Sequence, residues 1–326
     1  MTKGNLLVLL TVTVTRKWQE ADGIFGFLLA AVDGGPLPCF EPGAHIDIEI
    51  APNLVRQFSL CSSSLQREVY EIAVLRDPAS RGGSVALIDN VRVGDLLRIS
   101  APKNNFPLES SASHSILIAG GIGITPLLSM ADWLHRNDRS FELHFAARFR
   151  QQMAFHRRLT EAFADHDIRL YLPDEPHRRR LDIGTVIGSP ATGTHLYVCG
   201  PARLMDAVFE TADEKGWPST HLHREYFAAT TEYEVGSADA FDVKIASTGK
   251  VLHVPADRAI SAVLMENGIY VAMACEEGVC GNCLTGVLDG VPEHRDLYLT
   301  PEQQAANDCL AVCCSRSRSN LLVLDL

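Results

Sequence analysis

Nine cysteines stand in this chain of 326 residues, and six of them fall between Cys275 and Cys314. Cys275, Cys280 and Cys283 have the spacing C-x4-C-x2-C. Thiolates so spaced supply three of the four ligands of a [2Fe–2S] cluster, whose iron charge they neutralise. Gly278 and Gly281 let the loop curl until backbone N–H groups face the sulfurs. Cys309, Cys313 and Cys314 are the candidates for the fourth ligand. A four-thiolate zinc site competes, because Cys280-x2-Cys283 and Cys309-x3-Cys313 look like zinc knuckles. A thioredoxin-like redox pair is a second rival. Neither accounts for Cys275 or for the glycines between the ligands, so iron–sulfur chemistry is the better reading.

Other segments have the make-up of phosphate and nucleotide sites. Arg56-Gln57-Phe58-Ser59 sits where a strand should end, and Arg81-Gly82-Gly83-Ser84 joins a basic residue to a glycine turn and a hydroxyl. Such a turn offers backbone N–H groups to a phosphate, above all where a helix starts at Ser84. Arg56 and Ser59 lie three apart on one strand, so they need a bulge or twist to face the same way. Further on, Gly120-Gly121-Ile122-Gly123-Ile124-Thr125-Pro126 follows an apolar run and opens a helix. Glycines there let backbone approach a pyrophosphate, and Pro126 suits a first helical turn. Cys199-Gly200-Pro201 is a second sharp turn. Arg148 and Arg150 follow a strand, where a nucleotide's ribose would lie. His221-x-His223 shows no third metal ligand and reads as a surface strand, and Arg178-Arg179-Arg180 as a solvated loop.

Three kinds of element must position these groups. Residues 5–108 hold short alternating runs separated by turn residues, which suggests a small antiparallel β-barrel. From 109 to 228 strands alternate with helices; Leu127, Met130, Ala131 and Leu134 fall on one helical face. That alternation makes an α/β domain with a parallel sheet. Residues 229–240 are small and polar, as a linker should be. A hairpin around Gly249 and a helix over 259–267 begin a final domain spanning 241–326.

Composition narrows the function. There are 29 Lys and Arg against 40 Asp and Glu, a formal charge of −11. Nucleic acid is a poor partner for such a surface. Residues 229–326 carry 14 acidic against 6 basic side chains, so the acidity is concentrated beside the cysteines. No run is long enough for a membrane span, and the apolar start reads as a first strand rather than a signal peptide. A cytoplasmic location is expected.

The motifs together resemble the phthalate dioxygenase reductase family, the class IA reductases of Rieske-type oxygenases. The resemblance covers nearly the whole chain, in the family's order of flavin barrel, nucleotide domain and plant-type [2Fe–2S] ferredoxin domain of the β-grasp type. It implies that Cys313, ahead of Ser315-Arg316 and the closing Leu324-Asp325-Leu326, is the fourth ligand beside Cys275, Cys280 and Cys283. Cys314 departs from the common pattern; on an extended segment its side chain should point away from Cys313. Cys309 is read as structural. The resemblance also implies FMN held by Arg56, Gln57, Phe58, Ser59, Arg81, Gly82, Gly83 and Ser84, with Phe58 in place of the family's Tyr and Ser80 in place of a Gly. NADH would sit on Gly120, Gly121, Gly123, Thr125, Pro126, Arg148, Cys199, Gly200, Pro201 and Phe227, with the two arginines leaving NADPH open. Ser59, Thr125, Cys199 and Glu225 would lie nearest the chemistry. Pro42-Gly43-Ala44-His45 would be barrel scaffold.

The implied function is electron transfer from NADH through FMN and the cluster to a terminal Rieske-type oxygenase, by a monomeric protein. A flavin is needed because nicotinamide gives electrons in pairs and a [2Fe–2S] cluster takes one. The alternatives are a stand-alone NAD(P)H-dependent oxidoreductase with another acceptor and a non-catalytic zinc or redox module.

Overall fold

The computed structural model describes residues 9–52, 54–77, 82–173, 180–227 and 239–326. Arg81, Arg178, Arg179 and nearly all of the expected linker lie outside the described residues. The chain packs as two compact units, Met1–Glu225 and Tyr226–Leu326.

The alternating segments near the start form β1 (Leu9–Ala21), β2 (Ile24–Ala31), β3 (His45–Ala51), β4 (Leu54–Ser59), β5 (Tyr70–Leu75) and β6 (Leu96–Ser100). They pair antiparallel in the order β4-β3-β6-β1-β2-β5. A bridge between Leu60 and Ile72 joins the two ends, which closes the sheet into a barrel. Val12, Val14, Phe27, Ile46, Ile48 and Leu97 fill it, each worth about 1.5–3 kcal/mol of burial. Helix α1 (Gly83–Asn90) follows β5. Lys17 of β1 caps its far end, donating to the carbonyls of Ile88 and Val91, where a cation complements the helix dipole.

The second half of this unit contains β7 (His114–Gly120), α2 (Ile124–Arg136), β8 (Phe141–Ala146), α3 (His156–Ala162) and β9 (Asp167–Tyr171). It continues with α4 (Ile183–Ile187), β10 (Thr194–Cys199), α5 (Ala202–Glu214) and β11 (Leu222–Glu225). All five strands are parallel, in the order β11-β10-β7-β8-β9. The chain reverses its direction of travel between β7 and β10, and the crevice beyond the carboxyl ends of such a pair is where open α/β sheets bind ligands. Leu127, Met130 and Leu134 of α2 are buried against Leu117, Leu143 and Phe145 of the sheet, as the helical spacing predicts.

The second unit holds β12 (Phe241–Ile245), β13 (Val251–Val254), α6 (Ile260–Glu266), β14 (Leu284–Asp289) and β15 (Pro292–Glu293). It ends with α7 (Pro301–Ala306), β16 (Cys309–Ala311), β17 (Arg316–Ser317) and β18 (Leu321–Leu324). Its main sheet runs β13-β12-β18-β14-β16, with β12 and β18 parallel. Arg316 locks this unit: its guanidinium donates to the carbonyls of Arg258 (2.8 Å), Pro255 (3.0 Å) and Asp239 (3.1 Å) and covers the ring of Phe241. Among the described residues no helix is long and apolar enough to cross a membrane.

Candidate functional site

β3 and β4 pair in unbroken register from Glu49↔Val55 to His45↔Ser59. Arg56 and Phe58 therefore share one face and Gln57 and Ser59 the other. The bulge expected between Arg56 and Ser59 is absent; register slips only between Glu49 and Ala51, before Arg56. Arg56 and Ser59 thus serve different sides of the strand. Phe58 packs against the barrel core. Arg56 lies across the start of α1, where a Cβ on Gly83 would stand 2.5 Å from its Cγ and 2.9 Å from its Nε. Gly82 caps that helix at φ 80°, a conformation that costs only glycine little. The helix begins at Gly83, one residue before Ser84. A guanidinium beside a helix N-terminus is an arrangement that fits a phosphate.

On the other face, Ser59 Oγ donates to Glu225 Oε2 at 3.4 Å. This contact brings the end of β4 to the carboxyl edge of the parallel sheet. Burial pushes the Glu225 carboxyl up to about 8, against the pull of the Ser59 hydrogen bond. Cys199 pairs with Glu225 across β10 and β11. Its thiol is raised well above the ordinary cysteine value, by burial first and then by the Glu225 charge. Both groups therefore keep their protons at neutral pH. This environment does not suit a thiolate nucleophile.

The turns after β7 and β10 touch backbone to backbone. A Cβ on Gly123 would stand 2.3 Å from the Cys199 carbonyl oxygen and 2.6 Å from Gly200 N, and one on Gly200 would stand 2.8 Å from Gly120 Cα. A Cβ on Gly120 would strike Pro201 at 2.6 Å. Thr125 is buried and donates to the Ile122 carbonyl at 3.0 Å, so its hydroxyl holds the loop together. Pro126 lies buried in the first turn of α2. Beside these turns opens a cleft of about 620 Å³, lined in part by Gly121, Pro201, Arg148 and Tyr171. Arg180, read from sequence as solvated, lines it as well, and so does Asp22 of the turn between β1 and β2. Arg150 bonds His156 at 2.8 Å instead.

His223 lies on β11, the edge strand of the sheet, and is half-buried. It stacks on Tyr197 with centroids 4.5 Å apart and bonds His195 at 3.0 Å. Burial, then the neighbouring His195, lowers it to about 4.

In the second unit the four predicted thiols meet as two pairs, Cys275 with Cys280 and Cys283 with Cys313. Backbone N–H groups of Glu277, Val279 and Cys280 point at the Cys275 sulfur. Gly278 and Gly281 both sit at φ 74°, and a Cβ on Gly281 would lie 2.4 Å from the Tyr298 ring. Two thiol pairs within a shell of amides fit two irons bridged by sulfide. Cys314 does not point away from Cys313. Residues 311–315 turn, with the N–H groups of Cys314 and Ser315 both bonded to the Ala311 carbonyl. Its sulfur therefore packs 2.5 Å from where a Gly278 Cβ would stand. Cys309 lies in β16.

Comparison with known proteins agrees with this geometry. Residues 243–318 match the 2Fe-2S iron-sulfur cluster binding domain, and residues 117–210 the oxidoreductase NAD-binding domain. The chain is 49% identical over 318 residues to a vanillate O-demethylase oxidoreductase of Pseudomonas putida, covering 97% of this chain and 99% of that protein. It belongs to the phthalate dioxygenase reductase family. The crystal structure of phthalate dioxygenase reductase, described as modular for electron transfer from pyridine nucleotides to [2Fe-2S], superposes with a TM-score of 0.76 at 36% identity, covering 98% of each chain. An intact type IV self-sufficient cytochrome P450 monooxygenase also matches, with a TM-score of 0.86 at 37% identity; this chain covers 41% of it and is itself 98% covered.

Members of the family are reductase components of oxygenase systems, and this chain is an oxidoreductase of that kind. Its cofactors are FMN, NADH and a [2Fe–2S] cluster, and its electrons pass to an oxygenase.

Proposed function

We propose that the acceptor is the terminal oxygenase of a Rieske-type aromatic O-demethylase, of the kind named by the vanillate-system relative. The 49% identity to that relative over 318 residues supports the choice of acceptor, and the hydrogen bond between Ser59 and Glu225, which seats the barrel strand beside the glycine turns, supports a flavin site there. Bound there, the flavin supplies the exchange between the electron pair of a nicotinamide and the single electrons that the cluster takes.

The protein's own groups position these partners. Arg56, with Gly82, Gly83, Ser84 and Arg81, holds the flavin phosphate, while Gln57 and Ser59 border its ring and Phe58, expected from the sequence to touch the flavin, supports the strand from the barrel core instead. Gly120, Gly121, Gly123, Gly200 and Pro201 let the backbone meet the pyridine nucleotide, and Arg148 borders its ribose. Thr125 and Pro126 stiffen that loop. Cys199 shapes the floor with a protonated thiol. Glu225 holds a proton beside Ser59 Oγ, so no bare carboxylate faces the ring. Cys275, Cys280, Cys283 and Cys313 hold the cluster.

We read residues 1–108 as the flavin barrel, 109–228 as the nucleotide domain, 229–240 as linker and 241–326 as the ferredoxin domain, in a monomeric, cytoplasmic protein. The test is reconstitution with the purified O-demethylase oxygenase and vanillate. NADH-dependent demethylation supports the proposal. Dye reduction without demethylation overturns it in favour of a stand-alone oxidoreductase with another acceptor.

A further inference from the structure

A buried polar network lies on the Ser59 face of β4, formed by residues far apart in sequence. Lys103 Nζ meets Asp47 Oδ2 at 2.7 Å. Gln57 Nε2 donates to Asp47 Oδ1 at 2.8 Å and lies 3.1 Å from His45 Nε2. His45 and Asp47 are 4% and 5% exposed. His45 stands opposite Ser59, and Asp47 opposite Gln57, in the strand ladder.

Chemistry fixes which way the Gln57 amide points. Asp47 is paired with a lysine, so its carboxylate can only accept, and an amide oxygen turned toward it would set two acceptors face to face. The NH2 end must therefore face Asp47. The second amide hydrogen then goes to His45 Nε2, which burial keeps neutral by lowering that imidazole to about 4. Both donors are spent. Oε1 is left as an acceptor, two residues from Ser59 and on its side of the strand.

We propose that His45, Asp47 and Lys103 are positioning residues that hold Gln57 Oε1 outward to accept a hydrogen bond from the imide N3–H of the bound flavin. The proposal rests on the flavin site described above and specifies which edge of the ring that strand reads. One neutral hydrogen bond contributes about 0.5–1.5 kcal/mol, so its loss weakens binding roughly 3- to 10-fold.

The experiment compares FMN with 3-methyl-FMN, which lacks the imide hydrogen, on the full-length chain stripped of flavin, by fluorescence titration. The wild type is expected to bind FMN roughly 3- to 10-fold more tightly than the methylated analogue. In Gln57→Leu that ratio should fall to about one. Asp47→Asn, which can donate to Oε1 and let the amide turn over, should also collapse the ratio with Gln57 intact. A retained cooperative urea transition of the Trp18, Trp133 and Trp217 fluorescence, all in the first unit, shows that each variant folds. An equal ratio in wild type and Gln57→Leu overturns the proposal. If Gln57→Leu leaves that ratio unchanged but weakens NAD+ binding, the acceptor serves the nicotinamide amide and the flavin assignment is wrong. Failure of the wild type to bind FMN at all would instead overturn the flavin site.

Discussion

Replacing Glu225 by Gln should change how stability depends on pH. The carboxyl stands at about 8 in the folded protein against an ordinary 4.5, with burial as the cause. Between those values the native state keeps a proton that the unfolded chain has released. Stability therefore falls as pH rises through that window and levels off above it. The full penalty would be ~5 kcal/mol. The residue keeps some solvent exposure, so screening lowers the effective cost to about 2–3 kcal/mol. Glutamine has the same shape and no charge, so Glu225→Gln should escape this loss. Trp18, Trp133 and Trp217 all lie in the first unit, and their fluorescence during urea unfolding reports on it. The assay is the stability difference between wild type and variant at pH 5 and pH 9. The variant should gain about 2–3 kcal/mol on the wild type between them. Parallel pH profiles would refute the reasoning, because the carboxyl would then be ionised at no cost.

Gly123→Ala should cost about 3 kcal/mol, the upper end for overpacking, because its Cβ meets main chain at 2.3 Å rather than a movable side chain. Urea unfolding checks this, and NADH KM should rise as the turns separate. Arg56→Met should weaken FMN binding by roughly 10-fold or more, the worth of a charge-assisted hydrogen bond, with riboflavin binding little changed because it lacks the phosphate. Cys313→Ser should abolish the native cluster spectrum and lower bound iron, whereas Cys309→Ser should leave both intact. Electron transfer to the oxygenase should slow as salt rises, since steering by the acidic C-terminal region depends on charge; a rate independent of ionic strength would contradict this.

Local signals were legible because they rest on covalent necessity. Thiol spacing, the glycines at tight turns and the alternation of apolar residues each express a short-range requirement, and the strands and helices formed close to where these pointed. Leu127, Met130, Ala131 and Leu134 are all buried on α2, as their 3.6-residue spacing requires. Two local readings failed because neighbouring chain decided them. The β3–β4 ladder carries no bulge at Arg56, since α1 brings its own backbone to that side chain. The segment around Cys314 turns rather than extends because the Ala311 carbonyl takes two N–H groups.

By itself the sequence determined the cluster loop, the glycine turns and the order of barrel, nucleotide domain and ferredoxin. Tertiary structure alone decided that Glu225 keeps its proton, that Arg180 borders the cleft beside the glycine turns, and that Asp47, paired with Lys103, and His45 converge on Gln57. These are effects of burial and of groups distant along the chain, and neither burial nor distant company is written in a residue's immediate neighbours.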